Sequence, residues 1–186
     1  MIPGSRRSGH NRPMALVAIG LGSNRGDRPA MLRSAIEALA SEIEVVAVSP
    51  YYETDPMYVL DQPDYLNAAI VARTELGPLA LLKLLKATEQ MVGRVPAERN
   101  GPREIDLDLL AYGCLSYRFE VKGRTVLQVP HPRTPERRFV LKPLSDIAPD
   151  LVLVGLGRVS GLLAATEGQA ASVREFNNAA FSLSGA

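Results

Sequence analysis

Cysteine is almost absent from this chain of 186 residues, in which Cys114 is the only one. A single cysteine excludes an intramolecular disulfide and a thiolate metal cluster. The same scarcity fits a reducing compartment, so we expect a cytoplasmic protein. Histidine is nearly as rare, because only His10 and His131 are present, and two histidines are too few for a histidine metal site.

Apolar runs of membrane-spanning length are also missing. No segment approaches the ~18–20 consecutive apolar residues that a spanning helix requires. The apolar segment 14–22 contains two glycines and no small-residue cleavage site follows it, which favours a first strand over a signal peptide. The formal net charge is only +1, so no global field favours nucleic acid or an anionic membrane. We therefore expect neither of these among its partners.

The length fits one domain with its own core. We expect a disordered tail over residues 1–13, a single domain over 14–165 and a C-terminal extension over 166–186. Apolar periodicity predicts strands at 16–19, 45–49, 51–53, 65–74 and 126–129, and a further strand around Asp106 and Asp108. Helices are predicted to begin at Asp27 and at Gly77-Pro78, and a third to span 136–144. Beyond Leu151 we expect a hairpin and a helix capped by Ser160. Residues 20–26 are predicted to be a tight connection, and Met91 to face the core.

The order β-α-β-β-α-β of these elements predicts an α+β fold. Its typical form is a ferredoxin-like βαββαβ sandwich, in which the helices pack on one face of an antiparallel sheet. The chain shows no internal repeat and no interior linker.

Two aspartates one residue apart, Asp106 and Asp108, lie among large aliphatic residues. Residues i and i+2 of a strand point to the same face, so the carboxylates project side by side while Ile105, Leu107 and Leu109 face the core. Such a pair can hold one or two hard cations, and Mg²⁺ suits it because Mg²⁺ completes its shell with water and phosphate oxygens. The alternative is an ordinary polar face of an antiparallel sheet, which this pattern alone favours.

Arginines flank the acid pair in the sequence. Only four of the 21 basic residues are lysines, and a guanidinium binds phosphate oxygens bidentately. The nearby basic residues are Arg94, Arg99 and Arg103 before the acids, and His131, Arg133, Arg137 and Arg138 around a predicted helix N-terminus, which also favours anions. Polyphosphate transfer requires this combination of metal ligands and cations. Each arginine alone is equally a solvated side chain, and we expect at least one of Arg137 and Arg138 on the helix surface.

A third group of residues lies in DQPDYLNAAI, residues 61–70. Tyr65 and Asn67 share a strand face by the same i, i+2 rule. The Asn amide presents a donor beside an acceptor, which matches the edge of a lactam-like heterocycle. The aromatic ring of Tyr65 or Phe139 can stack on the plane of such a heterocycle. The alternative is that Tyr65 is a core residue and Asn67 a strand-end residue.

Four segments together resemble one family. AIGLGSN (18–24), DQPDYLNAA (61–69), GPREIDLDLL (101–110) and VPHPRTPERRFVLKPL (129–144) closely resemble 6-hydroxymethyl-7,8-dihydropterin pyrophosphokinase, in order and at compatible spacings. The resemblance implies a ferredoxin-like fold and transfer of the β,γ-pyrophosphoryl group of ATP to the pterin hydroxymethyl group, with release of AMP, in folate biosynthesis. It also implies two Mg²⁺ ions and small-molecule substrates. We expect the protein to be a monomer. At this length we expect no second folate-pathway domain.

The resemblance also implies roles for individual residues. Asp106 and Asp108 match the metal ligands and, with Arg94 and Arg103, are expected to be catalytic. The positions matching the ATP site are Glu89, Arg94, Arg103, His131 and Arg137, and those matching the pterin site are Thr54, Tyr65, Asn67 and Phe139, with the backbone of residues 55–57. Pro96, Asn100 and Pro132 depart from the pattern, because they stand where other members carry an arginine, a tryptophan and a tyrosine. No residue matches a general base.

Two other interpretations of the sequence remain. The chain is alternatively a different metal-dependent nucleotidyl or phosphoryl transferase on the same sandwich, or a regulatory module that binds a small molecule, since a fold does not determine a function. The acid pair and its arginine-rich loops separate these classes, because a pure binding module has no need of two metal carboxylates.

Overall fold

The computed structural model describes residues 13–56, 61–95 and 101–176. Met57, Pro96, Arg99 and Asn100, most of the predicted tail and residues 177–186 lie outside the described residues. The strands are β1 (Ala15–Ser23), β2 (Glu44–Val48), β3 (Tyr52–Thr54), β4 (Tyr65–Thr74), β5 (Asp106–Tyr112), β6 (Tyr117–Val121), β7 (Arg124–Val129), β8 (Val152–Leu153), β9 (Gly157–Arg158) and β10 (Val173–Glu175). The helices are α1 (Arg28–Ala40), α2 (Pro78–Val92), α3 (Arg138–Ile147) and α4 (Val159–Ala165), with 3-10 turns at Thr134–Glu136 and Glu167–Ser172.

An antiparallel sheet of six strands organises the described residues. Its order is β10-β3-β4-β1-β5, and β2 shares the outer edge of β4 with β3. The predicted bounds of β4 are confirmed, because alternation over ten residues is a strong strand signal. The predicted α+β class with an antiparallel sheet is confirmed as well. No helix among the described residues is both long enough and apolar enough to span a membrane.

Helices cover both faces of this sheet. On one face, Ile19 of β1 packs in a core with Leu32 of α1 and Leu81 of α2. On the other face, Ala69 of β4 packs in a second core with Leu141 of α3. The expectation that helices cover one face only is therefore wrong. Small and apolar side chains on the second face make it hydrophobic too, so it also has to be buried.

Helix α2 begins and ends where the sequence predicts. Gly77 precedes Pro78 at its start, and Gly93 at its end has a φ of 113°, in the left-handed region that glycine tolerates. The predicted core position of Met91 is wrong, because its side chain is 69% exposed. Residue 91 lies about a quarter turn around the helix from the buried face, and Glu89 occupies that face instead.

Three other local predictions are wrong. Residues 20–23 continue β1, so they do not belong to a loop: residues 20–22 are paired with β4 and β5, and Ser23 is paired with β4. The helix predicted over 136–144 begins at Arg138, because the extended backbone of Arg137 separates it from the 3-10 turn at Thr134–Glu136. The last helix follows Arg158, whose extended backbone precedes it, so Ser160 lies inside that helix and does not cap it.

The segment predicted as a C-terminal extension contributes an edge strand to the main sheet. β10 pairs with β3. Its Arg174 forms ion pairs with Asp55 (3.0 Å) and Asp64 (3.1 Å). Asp55 follows β3 and Asp64 precedes β4, so β10 ties together the two strand ends that border the cavity described below.

Asp27 caps α1, as predicted, and its side chain accepts a hydrogen bond from the backbone N–H of Ala30 (3.1 Å). Asp27→Ala should lower the free energy of unfolding by about 1 kcal/mol, because the N–H loses its acceptor. Urea denaturation measures the difference, and Asp27→Ser, which retains an acceptor, should keep most of the stability. An alanine variant as stable as the wild type would show that this cap contributes nothing.

Candidate active site

A cavity of about 320 Å³ lies over the sheet beside the N-terminal end of α3. Residues of β1, β4 and β5, the end of β3 and the segment 131–140 surround it. Nine of the eleven predicted site residues line it: Thr54, Tyr65, Asn67, Arg103, Asp106, Asp108, His131, Arg137 and Phe139. The other two, Arg94 and Glu89, lie beside it, Arg94 in contact with Asp106 and Glu89 in contact with Arg94.

Two glycines of β1 lie opposite the two aspartates of β5. Gly22 pairs with Asp106 and Gly20 pairs with Asp108 in the register of β1 and β5. A Cβ atom added at Gly22 would lie 3.0 Å from Asn67 Oδ1, which is closer than side chains normally approach. The i, i+2 spacing of the glycines matches the spacing of the aspartates, and this is the signal in the sequence that indicates their common row.

Two arginines hold the carboxylate of Asp106. Arg94 Nη1 donates to one of its oxygens (2.8 Å) and Arg103 Nη1 to the other (2.9 Å). The three side chains are between 19% and 29% exposed, so water screens these ion pairs only in part. Burial alone would lower the pKa of Arg94, but Asp106 and Glu89 raise it above its ordinary value. Two of the three predicted phosphate-binding arginines, Arg94 and Arg103, thus have a carboxylate as their anionic partner.

Glu89 lies beneath the acid pair and is only 2% exposed. Its Oε1 accepts hydrogen bonds from the backbone N–H of Leu107 (2.7 Å) and from Lys86 Nζ (2.6 Å). Its Oε2 pairs with Arg94 Nη1 (2.6 Å). Buried carboxylates are tolerated when they are paired in this way. These contacts fix the backbone of β5 between the two aspartates and hold Arg94 in place.

Asp108 and His131 form a different part of the wall. Among the described residues, the carboxylate of Asp108 has no hydrogen-bond or ion-pair partner, so its oxygens are available to a cation. The pKa of His131 is lowered, chiefly because burial penalises the charged ring; Arg137 and Arg133 lower it further, whereas Asp108 opposes the shift. His131 Nδ1 accepts a hydrogen bond from the backbone N–H of Arg133 (3.3 Å). The proton of the neutral ring is therefore on Nε2, which makes that nitrogen a donor.

A polar and aromatic wall lies across β1 from the acids. Asn67 is 6% exposed, and its Nδ2 donates to Thr54 Oγ1 (2.7 Å). Tyr65 borders the cavity on the same face of β4, as predicted, and burial raises the pKa of its hydroxyl. Phe139 completes this wall with its ring 5.6 Å from the guanidinium carbon of Arg137, a cation–π distance.

The second basic cluster divides between the cavity and the surface of α4. Arg133 and Arg137 line the cavity. Arg138 instead donates to the carbonyl of Leu163 (3.2 Å) and pairs with Glu167 (3.1 Å), so it lies outside the cavity. Its side chain is only 12% exposed, so it is not the solvated surface arginine that the sequence predicts. Within the described residues, no group of three or more histidine, cysteine or acidic side chains could hold a metal ion. The candidate protein ligands for a cation are the two carboxylates of β5 that line the cavity.

Comparison with known proteins assigns most of the chain to one family. Residues 18–149 match the family 7,8-dihydro-6-hydroxymethylpterin-pyrophosphokinase (HPPK). The chain is 48% identical over 144 residues to the 2-amino-4-hydroxy-6-hydroxymethyldihydropteridine pyrophosphokinase of Methylorubrum extorquens, an alignment that covers 76% of this chain and 88% of that protein. It is 46% identical over 132 residues to the mitochondrial folate synthesis bifunctional protein of Pisum sativum, covering 70% of this chain and 25% of that protein.

Solved structures agree at the level of the fold. The HPPK-DHPS A437G/K540E protein of Plasmodium falciparum, with pterin and p-hydroxybenzoate, superposes with a TM-score of 0.70 at 12% identity, covering 90% of this chain and 48% of that one. The chain thus spans about half the length of that solved protein. The match to the family model and the near-complete coverage of the M. extorquens enzyme are decisive: the chain belongs to the 7,8-dihydro-6-hydroxymethylpterin-pyrophosphokinase family.

Proposed function

We propose that this protein transfers the pyrophosphoryl group of ATP to 6-hydroxymethyl-7,8-dihydropterin in the cavity described above, giving AMP and the pterin diphosphate for folate synthesis. One observation carries the assignment of the cavity, namely its division into two chemically different halves. Asp106, Asp108 and Arg103 line one half, and Asn67 and Tyr65 line the other. A polyphosphate with its cations fits the first half, and a flat heterocycle with a polar edge fits the second.

Arg103, Arg137 and His131 bind the triphosphate in this proposal. Guanidinium groups match phosphate oxygens bidentately, and the Nε2–H of His131 adds a donor. Arg94 and Arg103 have only to exchange one anionic partner for another, because both already pair with Asp106. That exchange would release both carboxylate oxygens of Asp106.

Two Mg²⁺ ions belong to the proposal, with Asp106 and Asp108 as their protein ligands. The residues present fit this ion, since they offer hard carboxylate oxygens on one face of β5 and leave the other coordination positions to water and phosphate oxygens. When bound, Mg²⁺ would neutralise phosphate charge and polarise the β-phosphoryl group.

The second half of the cavity binds the pterin. Asn67 presents an amide to the edge of the heterocycle, and its contact with Thr54 Oγ1 fixes which way the amide points. Tyr65 and Phe139 provide aromatic surface for the ring plane. Gly22 has no side chain that would displace the Asn67 amide.

The protein's task in the reaction is to position the two substrates. The pterin hydroxyl oxygen forms a bond to the β-phosphorus, the bond from that phosphorus to the oxygen bridging to the α-phosphate breaks, and its electron pair leaves with AMP. Arg103 and Arg137 stabilise the charge on the transferred group and on AMP. The hydroxyl proton is released, and no side chain is assigned as its acceptor.

The finer architecture and the state of the protein are also proposed. When β2 and β3 are counted as one edge strand, the order β5-β1-β4-β2/β3 supports a ferredoxin-like βαββαβ core, to which α3, α4 and the hairpins are additions. We further propose a monomer that acts in the cytoplasm, in keeping with the exposed free thiol of Cys114.

Incubation with ATP, Mg²⁺ and 6-hydroxymethyl-7,8-dihydropterin should give AMP and the pterin diphosphate in equal amounts, measured by anion-exchange chromatography. Omission of the pterin should suppress AMP formation, which controls for simple hydrolysis of ATP. The appearance of ADP would identify a different phosphoryl transferase, and the absence of AMP would refute the proposal.

Asp106→Asn and Asp108→Asn should each lower kcat by about 100-fold or more, because each removes a charged ligand of Mg²⁺. Their effects on thermal unfolding without nucleotide should differ. The Asp106 variant should lose about 1 kcal/mol of stability, since two arginines lose their partner. The Asp108 variant should be as stable as the wild type or more so, because a like-charge neighbour is removed. Marked unfolding of the Asp108 variant would point to a structural role.

Asn67→Ala should weaken pterin binding by about tenfold or more, the loss of a good hydrogen-bonded contact. Binding of a non-hydrolysable ATP analogue with Mg²⁺ should change by less than about twofold, since Asn67 lies across β1 from the acids. Isothermal titration calorimetry measures both, with circular dichroism as the check on folding. Equal losses for the two ligands would contradict the assignment of Asn67.

A further inference from the structure

Asn24 joins two segments that are remote in the sequence. It follows β1 and is 1% exposed. Its Nδ2 donates to Gln62 Oε1 (3.1 Å) and to the carbonyl of Pro63 (3.2 Å). Its Oδ1 accepts from the backbone N–H of Arg103 (2.8 Å), and its own backbone N–H donates to the carbonyl of Arg103 (3.1 Å). One residue therefore connects the segment 61–64 to the segment 101–105.

Each of these segments leads directly to the cavity. Gln62 Oε1 also accepts a hydrogen bond from the Tyr65 hydroxyl (3.4 Å), in the half with the aromatic wall. Arg103 pairs with Asp106 (2.9 Å), in the half with the acids. Asn24 does not line the cavity itself, but it is two contacts from Tyr65, through Gln62, and two contacts from Asp106, through Arg103.

We propose that Asn24 is a positioning residue that couples nucleotide binding to pterin binding, an inference that rests on the proposed function. A triphosphate bound to Arg103 restricts the motion of the segment 101–105. The hydrogen bonds of the Asn24 amide then restrict the motion of Gln62 and Pro63 as well. The segment 61–64 then holds Tyr65 where the heterocycle stacks. By thermodynamic linkage, a bound pterin raises the affinity for the nucleotide by the same factor by which the bound nucleotide raises the affinity for the pterin.

The chemistry of the side chain explains why asparagine occupies this position. Only an amide offers two N–H donors and a carbonyl acceptor at this length, and all three are used here. Aspartate would keep the acceptor for the Arg103 N–H and lose both donors, whereas alanine would lose all three. Ser23 is a matched control beside it, because it is 0% exposed and its hydroxyl has no hydrogen-bond partner among the described residues.

Titration calorimetry on the whole protein tests the coupling. The pterin is titrated without and with a saturating non-hydrolysable ATP analogue and Mg²⁺, and the ratio of the two dissociation constants measures the coupling. We expect a ratio of about fivefold or more in the wild type and in Ser23→Ala, and a ratio near one in Asn24→Ala. Asn24→Asp should retain nucleotide affinity within about threefold and still lose the coupling, because only the donors to the segment 61–64 are removed.

Three results would overturn the inference: a wild-type ratio near one, an unchanged ratio in the Asn24 variants, or an equal loss in Ser23→Ala. If thermal unfolding shows that the Asn24 variants do not fold, Gln62→Ala decides, because it removes one arm of the connection and should reduce the ratio by about twofold or more. An unchanged ratio in that variant would overturn the inference as well. Failure of the proposed function would look different, as a wild type that forms no AMP.

Discussion

The partly buried negative charge of Asp106 is the constraint on which the site depends. The side chains Lys86, Glu89, Arg94, Asp106 and Arg103 form a chain of alternating charge that runs from α2 to the cavity. In this partly desolvated setting each charge needs its opposite neighbours, so both guanidinium groups already have an anionic partner before any substrate arrives. A bare cation therefore has to compete with two guanidinium groups for Asp106. A cation that arrives together with a polyphosphate brings the arginines a replacement partner.

The backbone of three adjacent strands sets the scale of the cavity. Gly22 pairs with Asn67 of β4 on one side and with Asp106 of β5 on the other, so these residues form one row across the sheet. Neighbouring strands lie about 4.8 Å apart, which places the amide-bearing and acid-bearing backbones about 10 Å apart. The missing side chain of Gly22 leaves the middle of the row open.

Local rules predicted the parts of this arrangement that depend on one strand at a time. The shared face of Tyr65 and Asn67, and that of Asp106 and Asp108, follow from a period of two and are confirmed by the residues that line the cavity. The Asn24 contact with Arg103 joins residues 79 positions apart, and no local pattern indicates it. The burial of Glu89 escaped prediction for a related reason, since its partners Arg94 and Leu107 lie beyond the helix that carries it.

The pairing of β10 with β3 has a consequence for the handling of this protein. The segment that matches the family ends at residue 149, whereas β10 comes later, at Val173–Glu175. A fragment cut at the family boundary would leave the outer edge of β3 with unpaired N–H and C=O groups. Such an edge is a template for strands of other molecules. An expression boundary chosen from the family match alone would therefore favour aggregation. Residues 173–175 prevent this because they pair with the outer edge of β3.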